Sequence, residues 1–157
     1  MIQKLLVVAA IALLILTGFL RDLVFVNINI QLANTIFETN EHQLSPLFSF
    51  LAEMDYWTTY GMKWVAVIVF FTLYGLETHL VLRTFFRYNH WNLVAYCYAF
   101  LGLTSGIIYG TFWLLGFPNE GYEVARYPLS WAQSPIPTML LIPALYLREN
   151  SRSQTSA

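Results

Sequence analysis

The chain has 157 residues, of which 57% are hydrophobic, 17% aromatic and only 11% charged, against about 25% charged in an ordinary soluble domain. So few charges cannot cover a core with a polar surface, so part of the solvent around this protein is lipid. A net charge of -1 excludes a nucleic-acid partner held through its phosphates, and the single Cys97 excludes both an intrachain disulfide and a cysteine-built metal site.

At about 20 residues per crossing, the length accommodates roughly four or five membrane helices joined by short loops. The first predicted span covers residues 4–22. Its apolar run "LLVVAAIALLILTGFL" lies between Lys4 and the Arg21-Asp22 pair. No small-x-small cleavage site precedes that pair, so the segment reads as an uncleaved anchor rather than a secretory signal. The run is short for a crossing: either Arg21 snorkels to the headgroups or the helix continues into "LVFV".

Residues 23–60 form a predicted outer segment. In "NINIQL", Asn27, Asn29 and Gln31 alternate with Ile28, Ile30 and Leu32. This period of two suits an extended stretch on a surface, and a helix continuing from the first span is the other reading. In "LSPLFSFLAEMDYW", Ser45 followed by Pro46 marks a helix start. Leu47, Phe50, Leu51 and Met54 then follow at i, i+3, i+4 and i+7. That pattern predicts an amphipathic helix in the membrane interface between the first and second spans, with Trp57 and Tyr60 as belt residues.

The second span is predicted at residues 62–82 and carries Glu77 and His79. The third, residues 91–117, stops at Pro118-Asn119. The fourth, residues 127–147, contains Pro135, Pro137 and Pro143, which must bend or break it. The polar tail, residues 148–157, is predicted to be disordered. The predicted fold class is therefore all-α and integral to the membrane: one domain of four transmembrane helices with an interfacial amphipathic helix. With four spans and a cytoplasmic amino terminus, Lys4, Arg83, Arg87, Arg148 and Arg152 lie inside and Arg21, Lys63 and Arg126 outside. The positive-inside rule thus places both termini in the cytoplasm, in the inner cell membrane. Asp22, Glu38, Glu41, Glu53, Asp55, Glu120 and Glu123 then make the outer surface acidic.

Three groups of residues are candidate sites. In "GLETHLVLRTFFRYNH", helical spacing gathers His79, Arg83, Arg87 and His90 toward one side of the second span's end. Arg83, Arg87 and His90 read as a collar meeting lipid headgroups, the other reading being an anion site around the two arginines. Glu77 lies up to ~7 Å inside the predicted end, at 1.5 Å per helical residue. A carboxylate there is costly and turns to a partner in the protein interior, with Lys4, Asn92 and Tyr96 at suitable depth. Glu77 and His79 thus read as a buried polar site, with Glu77 serving a structural hydrogen bond or a proton relay, the remaining reading being simple exposure of Glu77 near the headgroups. On the third span, Ala95, Ala99, Gly102, Gly106 and Gly110 share one narrow face. Such a face lets helix backbones approach closely, against this chain's own helices or against another chain.

His90 and Cys97 share a helix face, but seven residues rise about 10.5 Å, far beyond the ~3 Å of proton transfer. The apolar neighbours of Cys97 leave a thiol unreactive. No HExxH, GxSxG, phosphate loop or CxxCH is present, and His42, His79 and His90 are scattered. No catalytic residues, cofactor or metal are therefore expected. The expected partners are the lipid bilayer and another membrane protein, met through the small-residue face or the outer segment.

The segments "GFLRDLVF", "YGMKWVAVIVFFTLYGL" and "SPIPTMLLIPALYL" resemble the small four-span membrane proteins associated with the exosortase F system. The resemblance extends over most of the chain. It implies a membrane accessory of an exosortase-type transpeptidase, without catalytic residues of its own. The reading expected from these features is a non-enzymatic accessory or scaffold. The alternative is a small proton-coupled carrier using Glu77 and His79, and a membrane thiol enzyme stands third.

Overall fold

The computed structural model describes residues 2–37, 43–86 and 89–155, with side chains described for 5–37, 43–86 and 89–148. Every regular element among them is helical: α1 (Ile2–Phe37), a 3-10 helix (Pro46–Glu53), α2 (Tyr56–Phe86), α3 (Trp91–Leu114), α4 (Pro118–Ala132) and α5 (Ile136–Thr155). Three of these are long and apolar enough to cross a membrane: α1 over Leu5–Phe37, α2 and α3. The contacts divide the chain into two compact units, Leu16–Thr72 and Met1–Ile15 with Leu73–Ala157.

In the Leu16–Thr72 unit the predicted outer segment is corrected. "NINIQL" is helical, and α1 runs on to Phe37. Six residues cannot separate a period of two from one of 3.6, and side-chain bonding decides the outcome. Asn27 and Gln31 are one turn apart and buried on the same face. Asn27 donates through Nδ2 to the Leu23 carbonyl (2.8 Å) and accepts the Ser45 amide on Oδ1 (2.8 Å). Gln31 donates to the Met54 carbonyl at 3.3 Å. These amides satisfy backbone groups at both ends of the 3-10 helix and so clamp it onto α1. Ile28, Leu32 and Leu51 form the apolar centre beneath the clamp, with Phe48, Tyr56 and Tyr60 packed around them. Further along, Phe25 rests on Phe70 with ring centroids 5.9 Å apart.

The predicted interfacial helix takes a tighter form. Ser45 precedes it and Pro46 occupies its first turn, but Phe48 leaves helical geometry (φ -115°, ψ 15°). The expected single stripe is therefore divided: Leu47 and Phe50 are exposed while Leu51 is buried. α2 begins at Tyr56, six residues before the predicted boundary of 62, because Asp55 caps it. The Asp55 carboxylate accepts the Trp57 amide (3.1 Å), the Thr58 amide (3.4 Å) and the Thr58 hydroxyl. That hydroxyl, more than the two amides, holds the Asp55 carboxyl below its ordinary range.

In the second unit, α3 ends three residues before the predicted 117. Gly116 adopts φ 85°, which favours glycine, and the Phe117 amide reaches back to the Phe112 carbonyl at 2.9 Å. The predicted fourth span of residues 127–147, expected to bend or break at its prolines, is divided into two helices. α4 starts earlier, at Pro118, and returns along α3. The Ser105 hydroxyl donates to the Ala125 carbonyl (2.7 Å), and a Cβ at Gly121 would lie 2.4 Å from the Phe112 Cβ. Only a glycine allows that approach.

The break at Gln133–Pro135 has a direct cause. Pro135 and Pro137 have no amide proton, so the helical bonds to the Trp131 and Gln133 carbonyls cannot form. The Ser134 hydroxyl takes the Trp131 carbonyl instead, at 2.7 Å, and accepts the Ile136 amide at 3.3 Å as α5 begins. Pro128 and Pro143 sit inside α4 and α5. The predicted disordered tail is corrected too, since α5 continues through residues 148–155. Neither α4 nor the apolar stretch Ile136–Arg148 reaches the ~20 residues of a single crossing.

Candidate functional site

A polar core joins α2, α3 and α5 within the second unit, and Thr78 is its centre. The Thr78 hydroxyl lies 3.0 Å from the Tyr98 hydroxyl and 2.8 Å from that of Thr138, and all three residues are buried. Each hydroxyl carries a single proton and two acceptor lone pairs, so Thr78 donates to at most one of these neighbours and accepts from the other or from both. Where no water competes, such a chain of hydroxyls fixes three helices at one level. Tyr74, one turn earlier on α2, is buried too. Gly75 leaves the Tyr98 ring room to lie against α2, since even a Cβ at that position would stand 3.7 Å from the ring.

Glu77 adjoins this chain and is only 6% exposed. The expectation that it turns inward to a residue of another helix directs attention to α3, where Tyr98 lies within electrostatic reach of its carboxylate. Of the candidates chosen by depth, Asn92 and Tyr96 are exposed, and the Lys4 side chain is outside the described residues. Thr78, Tyr98 and Thr138 are absent from the sequence-based candidates, which rest on charge, depth and small-residue spacing. The available signal is position: Tyr98 shares its α3 face with Val94, which is also buried.

At the end of α2, His79 sets its ring edge-on to Trp91 (centroids 5.1 Å, 89°), and His90 sets its ring against Phe86 (5.8 Å, 89°). Arg83 is exposed in the last turn, and both Arg83 and His90 lie within electrostatic reach of His79. The structure thus brings His79, Arg83 and His90 into one neighbourhood, while Arg87 lies outside the described residues.

The small-residue face of α3 is largely open. Ala95, Ala99 and Gly106 are exposed, Gly102 and Gly110 are half-buried, and nothing lies within 4 Å of a Cβ built at Gly106 or Gly110. α4 uses the neighbouring face, through Ser105 and Phe112. Phe100, Leu103 and Ile107 are exposed beside the stripe, and Cys97 is half-buried. Among the described residues, no group of three histidine, cysteine or acidic side chains is placed to hold a metal ion. Comparison with protein-family models, with curated proteins and with solved structures returns no match.

Proposed function

We propose that the chain is a non-enzymatic accessory or scaffold subunit of a membrane-embedded complex. The open small-residue face of α3 carries this reading. In lipid, helices associate through close van der Waals contact, and small residues permit it. Among the described residues, nothing lies within 4 Å of a Cβ placed at Gly106 or Gly110 on that surface. The resemblance of three segments to exosortase-associated proteins supports an exosortase-type transpeptidase as the partner. The fourth crossing in this reading is α4 and α5 in series, a discontinuous helix whose freed carbonyls are satisfied inside the protein. The antiparallel return of α4 along α3 and the contact of Thr138 with Thr78 support it. Four crossings and the positive-inside count then give an inner-membrane protein with both termini cytoplasmic. Affinity purification of the tagged protein from its native membrane in mild detergent, read by mass spectrometry, tests the proposal. A stoichiometric membrane partner is expected, and recovery of the protein alone would contradict it.

A second reading, a small proton-coupled carrier using Glu77 and His79, is favoured by one observation. A buried carboxyl adjoins a hydroxyl chain that meets the start of α5 just beyond the helix break, and discontinuous helices characterise transporter sites. Under this reading Glu77→Gln abolishes proton-coupled activity and preserves assembly; unchanged activity in that variant would remove the carrier.

A further inference from the structure

In the Leu16–Thr72 unit, α1 and α2 do not close fully on each other beneath the 3-10 helix. They leave a cavity of about 370 Å³ that opens sideways, and all ten of its lining side chains are apolar. Its floor is Ile28, Leu51 and Phe70, all buried, while Phe50, Val65 and Val69 form a half-exposed rim. The 3-10 helix closes one end and is held there by the Asn27 and Gln31 amides.

Water is a poor occupant. At roughly 30 Å³ each, about a dozen molecules would fit, and no side chain in the lining offers them a hydrogen bond. An empty groove would forfeit the dispersion contacts of its walls. The surroundings supply the alternative, because both walls belong to helices long and apolar enough to span a bilayer. A methylene group has nearly the volume of a water molecule, so on the order of a dozen carbons of one chain fill the same space. The length agrees. From Met62 to Phe70 the groove follows α2 for about 12 Å at 1.5 Å per residue, close to the ~15 Å depth of one leaflet. It begins within the ring cluster of Tyr56, Trp57, Tyr60 and Trp64, the residues that mark a membrane interface. We propose that this groove is a binding site for a single acyl chain of a bilayer phospholipid, with its headgroup at the level of the aromatic cluster and its tail directed toward Phe70.

The test uses the full-length protein in vesicles of phosphatidylethanolamine and phosphatidylglycerol doped with a phosphatidylcholine carrying a photoactivatable diazirine in one acyl chain. Labelled peptides are mapped after irradiation. Several-fold higher labelling is expected at Val65 and Val69 than at Leu103 and Ile107, which are at least as exposed on α3. Ala66→Trp and Val69→Trp, made separately, fill the groove and should each reduce labelling of the groove peptides several-fold while leaving α3 labelling unchanged. Two variants guard against one failing to fold. Even labelling of both regions, or undiminished groove labelling in two folded variants, would overturn the proposal. Protection of the groove by a co-purified protein would overturn it as well, since the occupant would then be a partner side chain.

Discussion

Thr78→Val removes the hydroxyl at the centre of the polar core and keeps nearly the same shape, so the loss reports bonding rather than a cavity. Two hydrogen bonds disappear, to Tyr98 and to Thr138. Interhelical hydrogen bonds within membranes average ~0.6 kcal/mol and reach ~1.7, which gives about 1.2 kcal/mol for two and ~3.4 at most. The lower figure is a shift of roughly eightfold in the unfolding equilibrium. The assay is reversible unfolding of the purified protein in mixed micelles of rising sodium dodecyl sulfate fraction. Tyr98→Phe and Thr138→Val should each remove about half as much, and each should cost less when Thr78 is already valine. A Thr78→Val protein as stable as the parent, or double variants additive within about 0.3–0.5 kcal/mol, would refute the hydroxyl chain as a structural link.

Two further substitutions test the packing, and a titration tests the cap. Gly121→Ala places a Cβ 2.4 Å from the Phe112 Cβ, an atom beside the backbone that cannot swing away. It should destabilise the protein by about 1–3 kcal/mol in the same unfolding assay, and a neutral result would refute the tight α3–α4 approach. Gly75→Ala meets the Tyr98 ring at an ordinary 3.7 Å, so it should be neutral or stabilising by up to ~1 kcal/mol through helix propensity; a clear loss of stability would contradict that geometry. The Asp55 carboxyl is held below its ordinary range chiefly by the Thr58 hydroxyl. Its stabilising effect is therefore full above about pH 4 and disappears as the pH falls through the lower folded-state value. Amide resonances of Trp57 and Thr58 should titrate with a midpoint below the ordinary carboxylate range, and Thr58→Val should raise that midpoint. A midpoint at or above that range in the parent would contradict the cap.

The parts of the fold legible in the sequence are those that composition or single residues control. The long apolar helices follow from the scarcity of charge, the 3-10 start from Ser45-Pro46, and the end of α3, to within three residues, from Pro118-Asn119. What escapes is set by contacts distant in sequence. Asn27 and Gln31 read as the polar side of a strand, yet they are the buried face of α1 because Ser45 and Met54 supply their partners. The three prolines announce a bend, but its position depends on Ser134 taking the carbonyl that Pro135 leaves open. Glu77 visibly requires a neighbour, and the choice by depth of Lys4, Asn92 and Tyr96 passes over Tyr98. Hydroxyls carry no charge, and their importance appears only when three helices bring them within bonding distance. The small-residue stripe is fully legible, whereas the exposure of Ala95, Ala99 and Gly106 is not.

That stripe is tested most directly by Gly106→Leu. Among the described residues nothing lies within 4 Å of a Cβ at this position, so the substitution should leave the stability of the isolated protein unchanged or raise it by up to ~1 kcal/mol through helix propensity. In quantitative affinity purification from native membranes, at equal protein abundance, the parent should recover a stoichiometric membrane partner and Gly106→Leu should lose most of it. Equal partner recovery by both, or no partner with either, would contradict the proposal that this chain is an accessory subunit docking through α3.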